Sequence, residues 1–102
     1  MKKEKEALLL EIQALKKVQV EEELRFEEVS NRGKLKVEKL FAEKLNNSGE
    51  LQVKELNLEE LYNTGQLNAK ILESDHVENK GKIIAEEFSC EELKGNPIIK
   101  LD

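Results

Sequence analysis

The chain has 102 residues, of which 38% are charged and 38% hydrophobic, and its net charge is −5. This length predicts one domain, and the presence of one Tyr, three Phe and no Trp favours a thin aliphatic core. The acidic balance, with scattered Lys and Arg, argues against nucleic acid or an anionic membrane as a partner, because both attract a basic surface. The single cysteine, Cys90, excludes an internal disulfide and a cysteine-based zinc site.

The N-terminal stretch "MKKEKEALLLEIQALKK" is basic and then apolar, which is the order found in a signal peptide. Its apolar run "ALLL" ends at Glu11, however, and is too short for the core of such a signal. No stretch of the sequence reaches the length of a membrane span. We therefore expect a cytoplasmic chain without membrane insertion.

The first predicted element is an α-helix over residues 3–17, within an N-terminal capping unit of residues 1–17. Its apolar positions share one broad stripe, and Lys16 and Lys17 suit the negative end of the helix dipole. A coiled-coil seam is the alternative, but one and a half heptads are too few to be stable alone. We expect the helix to close one end of the domain that follows, over residues 18–102.

Residues 18–29, "VQVEEELRFEEV", predict an imperfect first coil of that domain. Leu24, Phe26 and Val29 fall sixteen residues before equivalent apolar positions, whereas Val18 and Val20 are one residue out of that spacing. This stretch is therefore expected to join the repeat with a local irregularity.

Residues 29–93 repeat with a period of sixteen residues. Alternation by two within short segments predicts strands, and the doubled gaps mark places where the inward face turns a corner. Sixteen residues leave no room for a strand and a crossover helix. The pattern predicts a mainly β fold: a single-stranded parallel β-solenoid of 16-residue coils, with neighbouring coils about 4.8 Å apart. The inward columns are Leu35, Leu51, Leu67 and Ile83; Val37, Val53, Ala69 and Ala85; Leu40, Leu56, Leu72 and Phe88; Ala42, Leu58, Ser74 and Cys90; and Leu45, Leu61, Val77 and Leu93.

An Asn-x-Gly motif marks the same corner of every regular coil. The glycines are expected to supply a positive φ there, and the asparagines to point inward and hydrogen-bond to one another as a ladder. This interpretation is structural and gives neither residue a catalytic role. The residues are Asn31, Asn47, Asn63 and Asn79, with Gly33, Gly49, Gly65 and Gly81.

Residues 94–102 predict a terminal partial coil, with Ile99 and Leu101 in the spacing of the core columns. Pro97 replaces the corner glycine and protects the start of the last strand, since proline donates no ladder hydrogen bond. The edge beyond Ile99 and Leu101 is the predicted interface for self-association. If the N-terminal helix closes the other end, two such edges meet about a two-fold axis in a closed dimer.

Outward positions offer little chemistry. His76 is predicted to be a surface residue and Cys90 a small buried filler, and neither has partners that suggest catalysis. One outer column is acidic, which favours a solvated rim; its carboxylates are weak candidates for a divalent cation such as Ca²⁺. We expect no cofactor, no catalytic site and no enzyme activity. The members of this column are Glu27, Glu43, Glu59, Asp75 and Glu91.

The segment "LNNSGELQVKELNLEELYNTGQLNAK" resembles the repeats of filamentous haemagglutinin-type bacterial adhesins and related contact-dependent toxin stalks, which are right-handed β-helices. The resemblance covers residues 29–93 and rests on Leu-x-Asn-x-Gly-x-Leu-x-Ala/Val. It implies a structural or adhesive stalk, located at the cell surface or secreted if the chain is a piece of a larger adhesin. Members of that family are very long and have an N-terminal secretion domain, which this sequence lacks.

Bactofilins, which are bacterial cytoskeletal β-helix polymers, give a second resemblance that suits a cytoplasmic chain, although they lack this asparagine ladder. The sequence thus predicts a non-enzymatic structural or interaction module, with a polymer-forming scaffold or a weak divalent-cation-binding module as the alternatives. Fold-level likeness alone does not decide among them.

Overall fold

A computed structural model describes residues 7–12 and 17–101, with side chains from residue 23 onward. In this part of the chain seven strands form one sheet in chain order, and every neighbouring pair is parallel. From β2 to β6 the parallel neighbours are joined by two-residue turns and must wind around a common axis, so the fold is a parallel β-solenoid of about five turns. The strands are β1 (Ala7–Ile12), β2 (Lys17–Asn31), β3 (Lys34–Asn47), β4 (Glu50–Asn63), β5 (Gln66–Asn79), β6 (Lys82–Gly95) and β7 (Ile99–Lys100).

Each regular coil has three sides. Between β3 and β4 the pairing runs over residues 34–37, 39–42 and 44–47, and it is interrupted at residues 38, 43 and 48–49. The same breaks recur between β4 and β5 and between β5 and β6. These breaks coincide with the doubled gaps in the apolar pattern, so they are the corners at which the inward face of the strand turns.

The core is the stack of inward apolar columns predicted from the repeat. Leu, Val and Ile fill three of the columns in the interior coils and are buried almost completely, whereas Ala42 and Cys90 pack against the core while remaining partly exposed. Pairing at a fixed offset of sixteen residues places like side chains over one another. The largest fully buried side chains are Leu35, Leu40, Leu45, Leu51, Leu56, Leu61, Leu67, Leu72 and Ile83.

The predicted N-terminal helix is wrong over residues 7–12, which form β1 and pair in parallel with Phe26–Asn31 of β2. The rest of that prediction, at residues 3–6 and 13–16, lies outside the described residues, and Lys17 already begins β2. The physical reason for the correction is the outer edge of β2, whose backbone N–H and C=O groups are satisfied by an added strand. Tertiary pairing therefore overrides the local helical stripe.

The irregular first coil is confirmed. Leu24 pairs with Leu40 at the regular offset, whereas Val18 pairs with Leu35 and Val20 with Val37, one residue out. The shift occurs between Val20 and Glu23. One extra residue on one strand of a pair is a β-bulge, and here it is accommodated at a corner, where pairing is interrupted in any case.

The predicted spacing of the last coil is wrong by one residue. Ile99 pairs with Ile84 and Lys100 with Ala85, so the offset is fifteen rather than sixteen. Ile98 therefore takes the inward position and is 8% exposed, while Ile99 and Leu101 are 46% and 49% exposed. The offset is still sixteen where Gly95 pairs with Asn79, and the N–H of Asn96 donates to the carbonyl of Asn79 as that of Lys80 does to Asn63. The corner is therefore one residue shorter between Asn96 and Ile98, at Pro97.

Candidate interaction surface

The Asn-x-Gly corner is held by a continuous ladder of side-chain amides. The Nδ2 of Asn31 donates to the Oδ1 of Asn47 over 2.8 Å. The Asn47–Asn63 and Asn63–Asn79 pairs repeat this bond over 2.8 and 2.9 Å. All four side chains are buried. The predicted inward asparagine ladder is therefore confirmed.

The predicted role of the corner glycines is wrong, because a positive φ is found only at Gly95 among the glycines, at +94°. The reason for glycine at the regular corners is close approach between coils. A Cβ on Gly49 would lie 2.1 Å from the carbonyl oxygen of Gly33, and one on Gly65 would lie 2.2 Å from that of Gly49. Each stacked turn thus leaves no space for a side chain of any kind.

Three of the outward columns place opposite charges on successive coils, and a fourth places His76 beside Glu92. Lys34 lies 3.9 Å from Glu50, and Lys54 lies 3.5 Å from Glu38. The other two pairs are Lys39–Glu55 at 4.0 Å and His76–Glu92 at 2.7 Å. These pairs are exposed and each contributes little stability. The three Lys–Glu contacts balance charge locally between neighbouring coils.

The acidic column differs from these columns. It lies at the second corner of each coil, which is the corner at residue 43 in β3. Its five members, Glu27, Glu43, Glu59, Asp75 and Glu91, are all exposed, as the sequence predicts. Four of them, all except Glu91, border an open groove of about 460 Å³ together with Arg25 and Phe41. Within residues 7–12 and 17–101, however, no three carboxylate, His or Cys groups converge on a position that could hold a metal ion. The column is an exposed row of like charges.

His76 and Tyr62 lie on the third side and are the outward ring side chains nearest to acidic groups. His76 is exposed, as predicted, and its Nδ1 lies 2.7 Å from Glu92. Tyr62 donates its hydroxyl to Glu60 over 3.0 Å. That hydrogen bond is the main cause of a raised Tyr62 pKa; slight burial and the charges of Glu60 and Glu78 add to it. A phenol held in its neutral form is suited to a hydrogen bond rather than to nucleophilic chemistry.

A second groove, of about 730 Å³, crosses the first side of the tube over several coils. It is open to solvent, and its walls are lysine, glutamate, amide and aliphatic side chains. Such a surface can contact an extended partner, but it does not hold a nucleophile beside a base. Its lining includes Lys36, Gln52, Asn68, Ile84, Glu86 and Leu101.

The C-terminal end of the tube is the candidate interaction surface. Phe88 and Leu93 lie in inward columns, yet they are 37% and 38% exposed, while their equivalents Leu72 and Val77 are buried. In the part of the chain that the structure describes, β7 pairs only with Ile84 and Ala85, so the outer edge of β6 beyond Ala85 has no strand beside it. We call residues 86–95 of β6 the open edge.

The interface predicted at Ile99 and Leu101 does not coincide with the open edge, because these residues are exposed but lie beside it. The repeat assigns Phe88 and Leu93 to the core, since their columns are buried in every earlier regular coil. The sequence feature that could have indicated the exposure of Phe88 and Leu93 is a break in the repeat. Gly95 occupies the position sixteen residues after Asn79, where the repeat predicts an asparagine, and Asn96 lies one residue beyond that position. A broken repeat indicates that the next coil does not stack in register.

The parallel β-solenoid and its Asn-x-Gly corner define a β-solenoid repeat protein with an internal asparagine ladder. No family model matches the sequence, and the comparisons with curated proteins and with solved structures likewise give no match. The resemblances to haemagglutinin-type repeats and to bactofilins therefore stay predictions. Among the described residues, no helix is long and apolar enough to cross a membrane.

Proposed function

We propose that the chain is a non-enzymatic β-solenoid module with a structural role, and that it acts by self-association through the open edge. The observation behind this proposal is the exposure of Phe88 and Leu93 in columns that are buried elsewhere. Covering both side chains would contribute about 0.5–1 kcal/mol each, given about 1.5–3 kcal/mol for burying a whole side chain of this kind. A strand added to the edge would also pair its free backbone groups.

The charge pattern directs association to the ends of the tube. The three Lys–Glu pairs balance charge only locally on the wall, and the acidic column makes side-by-side contact between the acidic corners of two copies repulsive. The apolar side chains of the open edge have no such protection. Association through the ends is therefore favoured over association side by side.

Two resemblances fit this role. A short adhesin-type stalk and a bactofilin-like polymer are both structural β-helices, and the second is favoured by one observation. The N-terminal end of the tube has a strand, β1, rather than the helix that would have closed it. An end that finishes in a strand can extend the sheet. A cytoplasmic scaffold is therefore our preferred version of the proposal, whereas no observation favours a cation-binding module.

Sedimentation velocity over a wide range of protein concentration tests the proposal. We expect the unmodified chain to associate, and Phe88→Lys to weaken association by about tenfold or more, because it puts a charge on the edge. Ile71→Lys is the matched control, since Ile71 is also 37% exposed but lies on the wall. Circular dichroism melts confirm that both variants fold. A chain that stays monomeric throughout, or equal effects of both variants, would refute the proposal.

A further inference from the structure

We propose that copies of the chain stack head to tail, with β1 of one copy pairing in parallel with Cys90–Gly95 on the open edge of the next. This inference rests on the proposed self-association and specifies its geometry. The pairing register of β1 within one chain predicts this contact. Within one chain β1 pairs with Phe26–Asn31 of β2, and the repeat places Cys90–Gly95 in the same columns, four coils further along.

The two ends of the described tube are complementary, because each end has a strand on a side that the other end leaves uncovered. At the C-terminal end β7 lies over the first side of the last coil and leaves the second and third sides uncovered. At the N-terminal end β1 lies over the third side of β2, and among the described residues nothing pairs with the outer edge of Lys17–Arg25. Stacked head to tail, β7 of one copy and β1 of the next become the first and third sides of one shared coil.

The residue types that this register places in the same columns suit one another. Leu10 shares its column with Val29, and therefore with Leu93 of the neighbouring copy, so an apolar position meets an exposed apolar side chain. Glu11 shares its column with Ser30, and therefore with Lys94. Opposite charges on adjacent strands attract, whereas like charges repel.

The charge of the open edge disfavours a two-fold contact between two such edges. The open edge has four carboxylates, at Glu86, Glu87, Glu91 and Glu92, against the single Lys94. Two open edges meeting about a two-fold axis would place these carboxylates against one another.

The last strand directs the incoming copy to the second and third sides. Pro97 precedes β7, and Lys100 occupies the inward column of Ala85. A proline and a charged residue at an inward column position are two devices that protect sheet edges from pairing. Both precede or lie on the first side, so the third side, which β1 would cover, belongs to the part of the end that they do not protect. A head-to-tail contact does not close on itself, and it predicts open filaments rather than a dimer.

A mixing experiment with two end variants tests the polarity. The first variant lacks residues 1–12 and therefore β1, and the second is Leu93→Lys, which blocks the open edge. We expect the unmodified chain to form particles that grow with concentration, and each variant alone to be monomeric. An equimolar mixture should form a dimer of one copy of each variant, because the intact β1 of one meets the intact edge of the other. Growth should stop at that dimer.

The alternatives give different results in sedimentation velocity. A two-fold contact between open edges predicts that the chain without residues 1–12 dimerises alone and that mixing adds nothing; this would overturn the head-to-tail inference and leave self-association standing. A monomeric unmodified chain would overturn both. If the deletion variant does not fold by circular dichroism, Leu10→Lys replaces it in the same design. Added salt should weaken assembly several-fold, because it screens the charges at the contact.

Discussion

The side-chain amide of Asn47 donates a hydrogen bond to the Oδ1 of Asn63, one coil further along the tube, over 2.8 Å. The same Nδ2 also donates to the backbone carbonyl of Gln66 over 3.0 Å, and the Oδ1 of Asn47 accepts from Asn31. Both ends of the amide are thus satisfied inside the tube. Among the described residues no buried side-chain nitrogen or oxygen lacks a partner. The ladder makes a polar group acceptable in the core, and it fixes which residue occupies each corner.

Replacing Asn63 with Leu should destabilise the fold by about 1–3 kcal/mol, because the amide of Asn47 loses one acceptor and the Oδ1 of Asn79 loses its donor from Asn63. Urea unfolding followed by circular dichroism measures the change. Exposed Asn57, on the second side of the same coil, is the control: Asn57→Leu should leave the midpoint nearly unchanged. Equal midpoints for Asn63→Leu and the unmodified chain would contradict the energetic role of the ladder.

Asn63→Asp should be worse than Asn63→Leu near neutral pH, because it buries a carboxylate beside two acceptors, the Oδ1 of Asn79 and the carbonyl of Lys82. Burial raises the pKa of such a carboxyl in the folded state, so the folded chain binds the proton more tightly than the unfolded chain. The deficit relative to the unmodified chain should therefore shrink as the pH falls from about 7 towards about 4. Paired urea titrations across that range measure it. A deficit independent of pH would rule out a buried charge.

The corner glycines make a second test, directed at the space between coils. Gly65→Ala should destabilise the tube by about 1–3 kcal/mol, because the added Cβ would lie 2.2 Å from the carbonyl oxygen of Gly49. Gly65→Asn should be at least as harmful. Asparagine tolerates a positive φ, but Gly65 does not have one, and both replacements introduce a Cβ. Thermal melts of the two variants measure the effect.

Exposed Thr64, in the same turn, provides the control for this comparison. Thr64→Ala removes a side chain that faces solvent, and we expect it to shift the melting temperature little. A clear recovery of stability in Gly65→Asn relative to Gly65→Ala would show that backbone conformation, rather than close approach, selects glycine at this corner.

The sequence predicts the interior coils well because every coil imposes the same constraint on its neighbour. Leu56 and Asn63 lie between coils with equivalent residues at the same positions, so the inward assignment of one coil supports that of the next. The glycine mechanism could not be predicted in the same way. A positive φ and a close approach both select glycine, and only the distance from Gly65 to the Gly49 carbonyl separates them.

The ends of the tube could not be predicted from periodicity alone. Residues 7–12 have apolar groups that suit both a helical stripe and a strand, and pairing with the edge of β2 decides between them. At the other end Ile98 and Ile99 are both isoleucine, so an offset of fifteen or sixteen places an apolar side chain inward equally well. The corner at Pro97, one residue shorter than in the earlier coils, determines the result.

The acidic column gives a prediction about ions. Millimolar Ca²⁺ should not raise the melting temperature more than NaCl of equal ionic strength does, because the described residues have no group of three ligands that converge. Specific binding to the folded state must stabilise it by mass action, whereas screening of like charges is the same for both salts at equal ionic strength. Glu59→Gln, in the middle of the column, is the control variant. A Ca²⁺-specific rise that this variant abolishes would establish a cation site.

The bulge between Val20 and Glu23 gives the last prediction. Two residues, Glu21 and Glu22, occupy a corner that a single residue, Glu38, fills in the next coil. Deleting Glu22 should therefore restore the regular offset and change the stability by less than about 1 kcal/mol, since the extra residue contributes no ladder pairing. Deleting Glu55 from a regular coil should cost more than about 2 kcal/mol, because the following inward leucines lose their register. Urea midpoints of the two deletions decide the question, and an equal loss in both would show that the bulge is required by the first coil rather than tolerated.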